Sequence, residues 1–161
     1  MMTIRRRLAC ALLALATTLP AVAAENGQPT QIQAEMLDGG QFSLSSSRGA
    51  TTVLSIWSPE SLASRKCIWE LQRFASMYET RGVRTIAIST LNDRDELRLF
   101  LKSRKLSLPV AMLGDNDLGR IDELRLPLVY VFDQDGKLQA SHAGLFSLRT
   151  LQRLVDPQLR Q

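Results

Sequence analysis

Histidine and cysteine are scarce in this chain of 161 residues: His142 stands alone, and the two cysteines are Cys10 and Cys67. A zinc site needs several such ligands close together, and one histidine and one cysteine far apart do not make one. Two cysteines also exclude a small disulfide-stapled scaffold. There is no Gly-rich phosphate loop and no G-x-S-x-G turn, so neither a nucleotide cradle nor that form of serine hydrolase is encoded. Asp133-Gln134-Asp135-Gly136 opens like a calcium loop but lacks the glutamate that should follow, and it reads as a hairpin turn. Neither a metal nor a cofactor is expected. Repeats, linkers and low-complexity tracts are absent as well. What remains is ordinary: 45% hydrophobic and 22% charged residues, which excludes a disordered or collagen-like chain and fits one globular domain.

The charge is unevenly placed. The formal net charge is +4, but Arg5, Arg6 and Arg7 stand at the very start. An apolar run from Leu8 to Leu19 follows, and then Pro20 and the small residues Ala21-Val22-Ala23-Ala24. A basic segment, an apolar segment and a small-residue cleavage site, in that order, predict a secretory signal peptide over residues 1–24. Cleavage after Ala23 or Ala24 leaves 17 basic and 16 acidic side chains and a net charge of +1. No basic tract is left to follow a phosphate backbone, so no nucleic-acid partner is expected. No stable membrane span is expected after cleavage, and the location is periplasmic or secreted. Residues 25–161 then hold one cysteine, Cys67, which cannot form an internal disulfide.

Periodicity predicts alternating strands and helices. Gln31 to Leu37 and Gln41 to Leu44 flank the turn signal Asp38-Gly39-Gly40 and predict a hairpin. Ser45 to Gly49 reads as a polar loop. Thr52 to Trp57 (TVLSIW) is apolar and β-branched, as a buried central strand should be. From Ser61 to Thr80, the residues Cys67, Ile68, Leu71, Phe74, Ala75 and Tyr78 recur every three or four positions and mark one face of a helix. Arg81-Gly82 ends it. Val83 to Ser89 is a strand, and Asn92 and Asp93 cap a helix reaching about Arg104. Pro109 to Leu113 is a short strand, and 115–124 a loop with a short helix. Leu128 to Phe132 and Lys137 to His142 form a hairpin through Asp135-Gly136, and Ser147 to Val155 is a last helix. Strands joined through helices should be parallel, and strands joined by a two-residue turn antiparallel. The expected fold is therefore α/β: a thioredoxin-like three-layer α/β/α arrangement with a mixed central sheet and an N-terminal β-hairpin.

With these elements in place, the chain resembles the TlpA/ResA-like branch of secreted thioredoxin-fold proteins from about Ala34 to Leu154. Leu37-Asp38-Gly39-Gly40-Gln41-Phe42-Ser43-Leu44 is similar to that family's D-G-x-x-x-x-L hairpin. Arg48-Gly49 precedes the central strand as its L-x-G-K does, and Trp57 takes the place of its strand-end tryptophan. Pro127, followed by Asp133 and then Asp135-Gly136, is similar to its P-T-T-F-L-I-D-x-D-G segment. In the family that proline is cis and walls a substrate groove. The resemblance thus implies a groove at Trp57, Leu126 and Pro127, beside the helix terminus at Ser61, for an extended peptide or protein in the cell envelope.

The decisive segment departs from the family. Where the family reads W-x-x-x-C-x-x-C-[RK]-x-E, this chain reads Trp57-Ser58-Pro59-Glu60-Ser61-Leu62-Ala63-Ser64-Arg65-Lys66-Cys67. Both redox positions are serine, Ser61 and Ser64. Cys67 replaces the acidic residue one turn on, and Trp69 replaces a helix-kinking proline. A C-x-x-C site needs one thiol activated at a helix N-terminus and a second to resolve the mixed disulfide, and serine does neither. A serine nucleophile needs a base within hydrogen-bond reach, and nothing places His142 or Lys66 there. Ser61 is, however, a favoured helix cap. The expectation is a non-catalytic binding module with a degenerate site. The enzymatic alternative is a monothiol oxidoreductase or peroxidase acting through Cys67. The related peroxiredoxins use P-x-x-x-[TS]-x-x-C. Ser64 fits that pattern, but Pro59 stands eight residues before Cys67, not seven. Trp69, beside the apolar stripe, is a candidate contact residue.

Overall fold

A computed structural model of the chain describes residues 31–118, 121 and 125–160. The leader expected over residues 1–24 lies outside the described residues. Strands β1 (Ile32–Met36) and β2 (Gln41–Ser43) form the N-terminal hairpin, followed by β3 (Thr52–Trp57), α1 (Leu62–Tyr78), β4 (Arg84–Ser89), α2 (Arg94–Ser103), β5 (Val110–Asn116), β6 (Leu128–Phe132), β7 (Leu138–Ala143) and α3 (Leu148–Val155). They build one seven-stranded sheet in the order β2-β1-β5-β4-β3-β6-β7. β3, β4 and β5 run parallel, as helical crossovers require. The β1–β2, β1–β5, β3–β6 and β6–β7 pairs are antiparallel. The fold is thioredoxin-like α/β with a mixed sheet.

Local chemistry sets most boundaries. The β1–β2 turn closes with Met36 N–H donating to the Gly40 carbonyl at 2.9 Å, and Gly39 takes φ +97° there, a value that glycine adopts without a Cβ penalty. Each α-helix starts at an oxygen-bearing cap: Ser61, Asp93 and Ser147 accept from backbone N–H groups of the first turn. Ser45 to Gly49 is more ordered than a loop. Leu44–Ser47 is a 3-10 turn capped by Ser43, with Leu44 and Ser47 buried. β5 outruns its expected end at Leu113 because β1 pairs along it as far as Ile32 opposite Asn116. Gly114, Asp115 and Asn116 are poor strand formers, so cross-strand pairing overrides propensity there. The short helix expected within 115–124 falls partly outside the described residues.

Two apolar clusters lie on the two faces of the sheet. One joins Val53, Ala87, Val129 and Val131 to Cys67, Leu71 and Phe74 of α1, Leu97 of α2 and Leu151 of α3. The other joins Leu54, Ile56, Ile86, Ile88 and Phe132 to Phe42, Leu44 and Leu126. β3 is buried along its whole length and belongs to both. Burial of each such side chain contributes about 1.5–3 kcal/mol, so this centre holds the C-terminal end of β3, and the loop that follows it, in place.

Candidate functional site

The segment from Trp57 to Cys67 is built around serine. β3 ends at Trp57, and Ser61 N–H donates to the Ser58 carbonyl at 3.2 Å to turn the chain into α1. Ser61 Oγ then accepts Ser64 N–H at 3.3 Å, as a helix cap should. Ser64 is 1% exposed, and its Oγ accepts Ser58 N–H at 3.3 Å. Ser58 Oγ in turn accepts Glu60 N–H at 3.2 Å. Three hydroxyls thus serve backbone N–H groups at a strand-to-helix corner. No base touches them: His142 Nε2 lies 3.0 Å from the Leu145 carbonyl, and Lys66 points to solvent.

Cys67 lies one turn further in and faces the core, 2% exposed. Its Sγ accepts Phe146 N–H at 3.2 Å and donates to the Phe146 carbonyl at 3.4 Å. The thiol so ties α1 to the segment between β7 and α3. Burial pushes its pKa above the ordinary thiol value, and the Glu70 carboxylate pushes the same way against the Phe146 hydrogen bond. A nucleophilic cysteine needs the opposite: exposure and a depressed pKa. The geometry is that of a structural thiol.

The groove expected from Trp57, Leu126 and Pro127 needs correction. Trp57 and Leu126 are each 1% exposed, and Pro127 is buried too. Trp57 packs on Phe100 with ring centroids 5.7 Å apart, and Leu126 joins the second apolar cluster. Trp57 and Leu126 thus serve the core, and all three side chains are buried. The Leu126–Pro127 peptide bond is cis. Gly144 N–H donates to the carbonyls of Pro127 and Arg125 at 2.9 and 3.0 Å, so the start of β6 and the end of β7 are stitched together here. A cavity of about 800 Å3 opens at the opposite end of the sheet, among the β1–β2 hairpin, the second half of α1 and the start of β4. Trp57, Ser61, Ser64, Leu126 and Pro127 are not among its walls. Among the described residues, no group of three or more His, Cys, Asp or Glu side chains could hold a metal ion, and no helix is long and apolar enough to cross a membrane.

The pairing of Cys67 with Phe146 had no local signal, because 79 positions separate the two residues. The corner hydroxyl of Ser58 was equally unmarked, although a serine two residues before the next chain reversal is a common side-chain turn.

The sequence profile of the AhpC/TSA family matches residues 26–141, most of the chain. The chain belongs to the AhpC/TSA family. No curated protein sequence matches it significantly. Among solved structures, it is similar to a secreted thiol-disulfide isomerase from Corynebacterium glutamicum, with a TM-score of 0.70, 18% identity and coverage of 81% of this chain and 84% of that one. A thiol:disulfide interchange protein of the thioredoxin family from Chlorobium tepidum gives a TM-score of 0.68 at 21% identity, covering 82% and 96%. A DsbF homologue from Corynebacterium diphtheriae gives 0.69 at 17%, covering 81% and 85%. At such identities the likeness establishes the fold alone, and the thioredoxin-like arrangement of this AhpC/TSA member is that fold.

Proposed function

We propose that this AhpC/TSA-family chain is an exported thioredoxin-like protein of the TlpA/ResA-like branch that has lost its dithiol chemistry and serves as a non-catalytic module binding a peptide or protein in the cell envelope. One observation carries the reading: the two positions that need thiols hold Ser61 and Ser64, and both hydroxyls accept backbone hydrogen bonds. The remaining thiol, Cys67, is enclosed by the core and hydrogen-bonded on both sides to Phe146. A serine oxygen forms no disulfide, and a buried thiol with a raised pKa attacks none.

Export is supported by the leader pattern of residues 1–24 and by the secreted nature of the C. glutamicum protein. Binding, in this reading, uses the loop that leads into α1, at Glu60 and Ser61, and not the outer face of the helix.

The test is disulfide reductase turnover by residues 25–161, with dithiothreitol as electron donor and insulin as substrate. The expected rate is that of dithiothreitol alone. The double variant Ser61→Cys with Ser64→Cys is expected to gain activity, because the α1 N-terminus would lower the first thiol's pKa. Turnover by the wild-type sequence, or its loss in Cys67→Ala, would overturn the reading.

A further inference from the structure

Five large apolar side chains reach solvent among the described residues; Leu99 stands apart on α2, and the other four lie on or beside α1. Leu62, Trp69 and Met77 are 61%, 40% and 50% exposed. They share one face of α1 with Lys66 and Arg73, at helical spacings of four, three, four and four, opposite the buried stripe of Cys67, Leu71, Phe74 and Tyr78. Leu145, 61% exposed, stands beside that helix. Its neighbour Phe146 bonds Cys67, and Leu148 N–H donates to Glu70 Oε2 at 3.0 Å, which fixes the segment against the flank of α1.

Charge follows the same layer. α1 carries Arg65, Lys66 and Arg73 against Glu70, and α3, packed beside it, carries Arg149 and Arg153 with no acid. These two helices hold a net +4, while residues 25–161 together hold +1, so everything else sums to −3. Arg73 pairs with Glu70 at 3.3 Å. Arg65, Lys66, Arg149 and Arg153 are exposed and make no ion pair among the described residues.

We infer that the α1–α3 face docks on a bilayer surface containing anionic phospholipid. Unpaired cations meet headgroup phosphates, while Leu62, Trp69, Met77 and Leu145 enter the interface, where tryptophan and leucine flanked by Lys and Arg are favoured. The form of the face separates a bilayer from an acidic protein. Leu62 and Met77 lie about 22 Å apart along the outer face of one helix. A protein partner would call for a central, clustered anchor, whereas a fluid interface accepts protrusions spread along a helix. This inference stands apart from the fate of the dithiol site.

Residues 25–161 contain every strand and helix among the described residues, and they are the protein to test, because the apolar run of residues 8–19 would bind lipid by itself. The assay is co-sedimentation with vesicles of phosphatidylglycerol and phosphatidylcholine in equal parts, against vesicles of phosphatidylcholine alone. Binding to the anionic vesicles is expected to be stronger by about tenfold or more, to shift Trp69 emission to the blue, and to fade in about 0.5 M salt. Lys66→Glu with Arg149→Glu should reduce it by about tenfold or more without moving the thermal transition, and Arg48→Glu with Lys137→Glu, outside both helices, should leave it unchanged. Equal binding to both vesicles, or equal loss in the two charge variants, would overturn the inference. So would retention on immobilised polyglutamate without vesicle binding, which would assign the face to an acidic protein.

Discussion

Replacing Cys67 tests its assigned role at the level of energy. In Cys67→Val the cavity stays filled, but Phe146 N–H and the Phe146 carbonyl lose the Sγ atom they meet at 3.2 and 3.4 Å. An orphaned buried backbone group costs about 1–3 kcal/mol, and sulfur bonds lie at the weak end, so the two together give about 2 kcal/mol. Cys67→Ala adds the lost packing of a methyl-sized group, about 1 kcal/mol more. Cys67→Ser keeps a donor and an acceptor and should cost about 1 kcal/mol, because the shorter C–O bond lengthens both contacts. For a folded unit of this size each kcal/mol moves the melting temperature by about 3–5 °C. The expected drops are therefore about 3–5 °C for Ser, 6–10 °C for Val and 9–15 °C for Ala. The assay is thermal unfolding of residues 25–161 at pH 7. A valine variant as stable as wild type would show that the bonds to Phe146 contribute nothing, and the structural reading of Cys67 would fall.

Three further outcomes follow from the same geometry. Tyr78 donates to Asp156 Oδ1 at 2.7 Å, and Tyr78→Phe should cost about 1.5–2 kcal/mol in urea unfolding, since the acceptor is charged. Ser61→Ala removes the α1 cap and should cost about 1 kcal/mol, with Ser61→Gly costing less. Burial raises the pKa of Cys67 and of Tyr78, whose phenol is pushed further the same way by Asp156. The folded state therefore keeps both protons where the unfolded chain loses them, and stability should hold below about pH 8.5 and fall above it, by at most about 1.4 kcal/mol per pH unit for each group. In Cys67→Val the onset should move up toward the phenol range. An unchanged onset would refute the thiol's part in it.

The central strands were legible because burial on both faces writes a continuous apolar run: Thr52–Trp57 and Leu128–Phe132 emerge with the expected bounds. Asn92 and Asp93 announced α2 as candidate caps, and Asp93 is the cap. The far end of β5 was not legible, since Gly114, Asp115 and Asn116 are drawn into the sheet by β1 and not by their own preference. The site divides the same way. Ser61 was readable as a cap from its own residue type and position. The depth of Trp57 and Leu126 was not, because it depends on Phe100 and on the second apolar cluster, which come from distant parts of the chain. Nor was the bond from Cys67 to Phe146, which exists only once α1 and the segment after β7 are packed together. Motif position alone implied a groove wall at Trp57, where the packed chain has core.

In the proposed function, this fold keeps its architecture without a working thiol. The most direct measurement is the rate of alkylation of Cys67 by iodoacetamide in folded residues 25–161 as a function of pH. Modification is expected at the pace of unfolding, accelerated by denaturant and without an inflection below pH 8.5. Rapid modification of the folded protein, with an apparent pKa well below that of a free thiol, would contradict that reading and make Cys67 a reactive site.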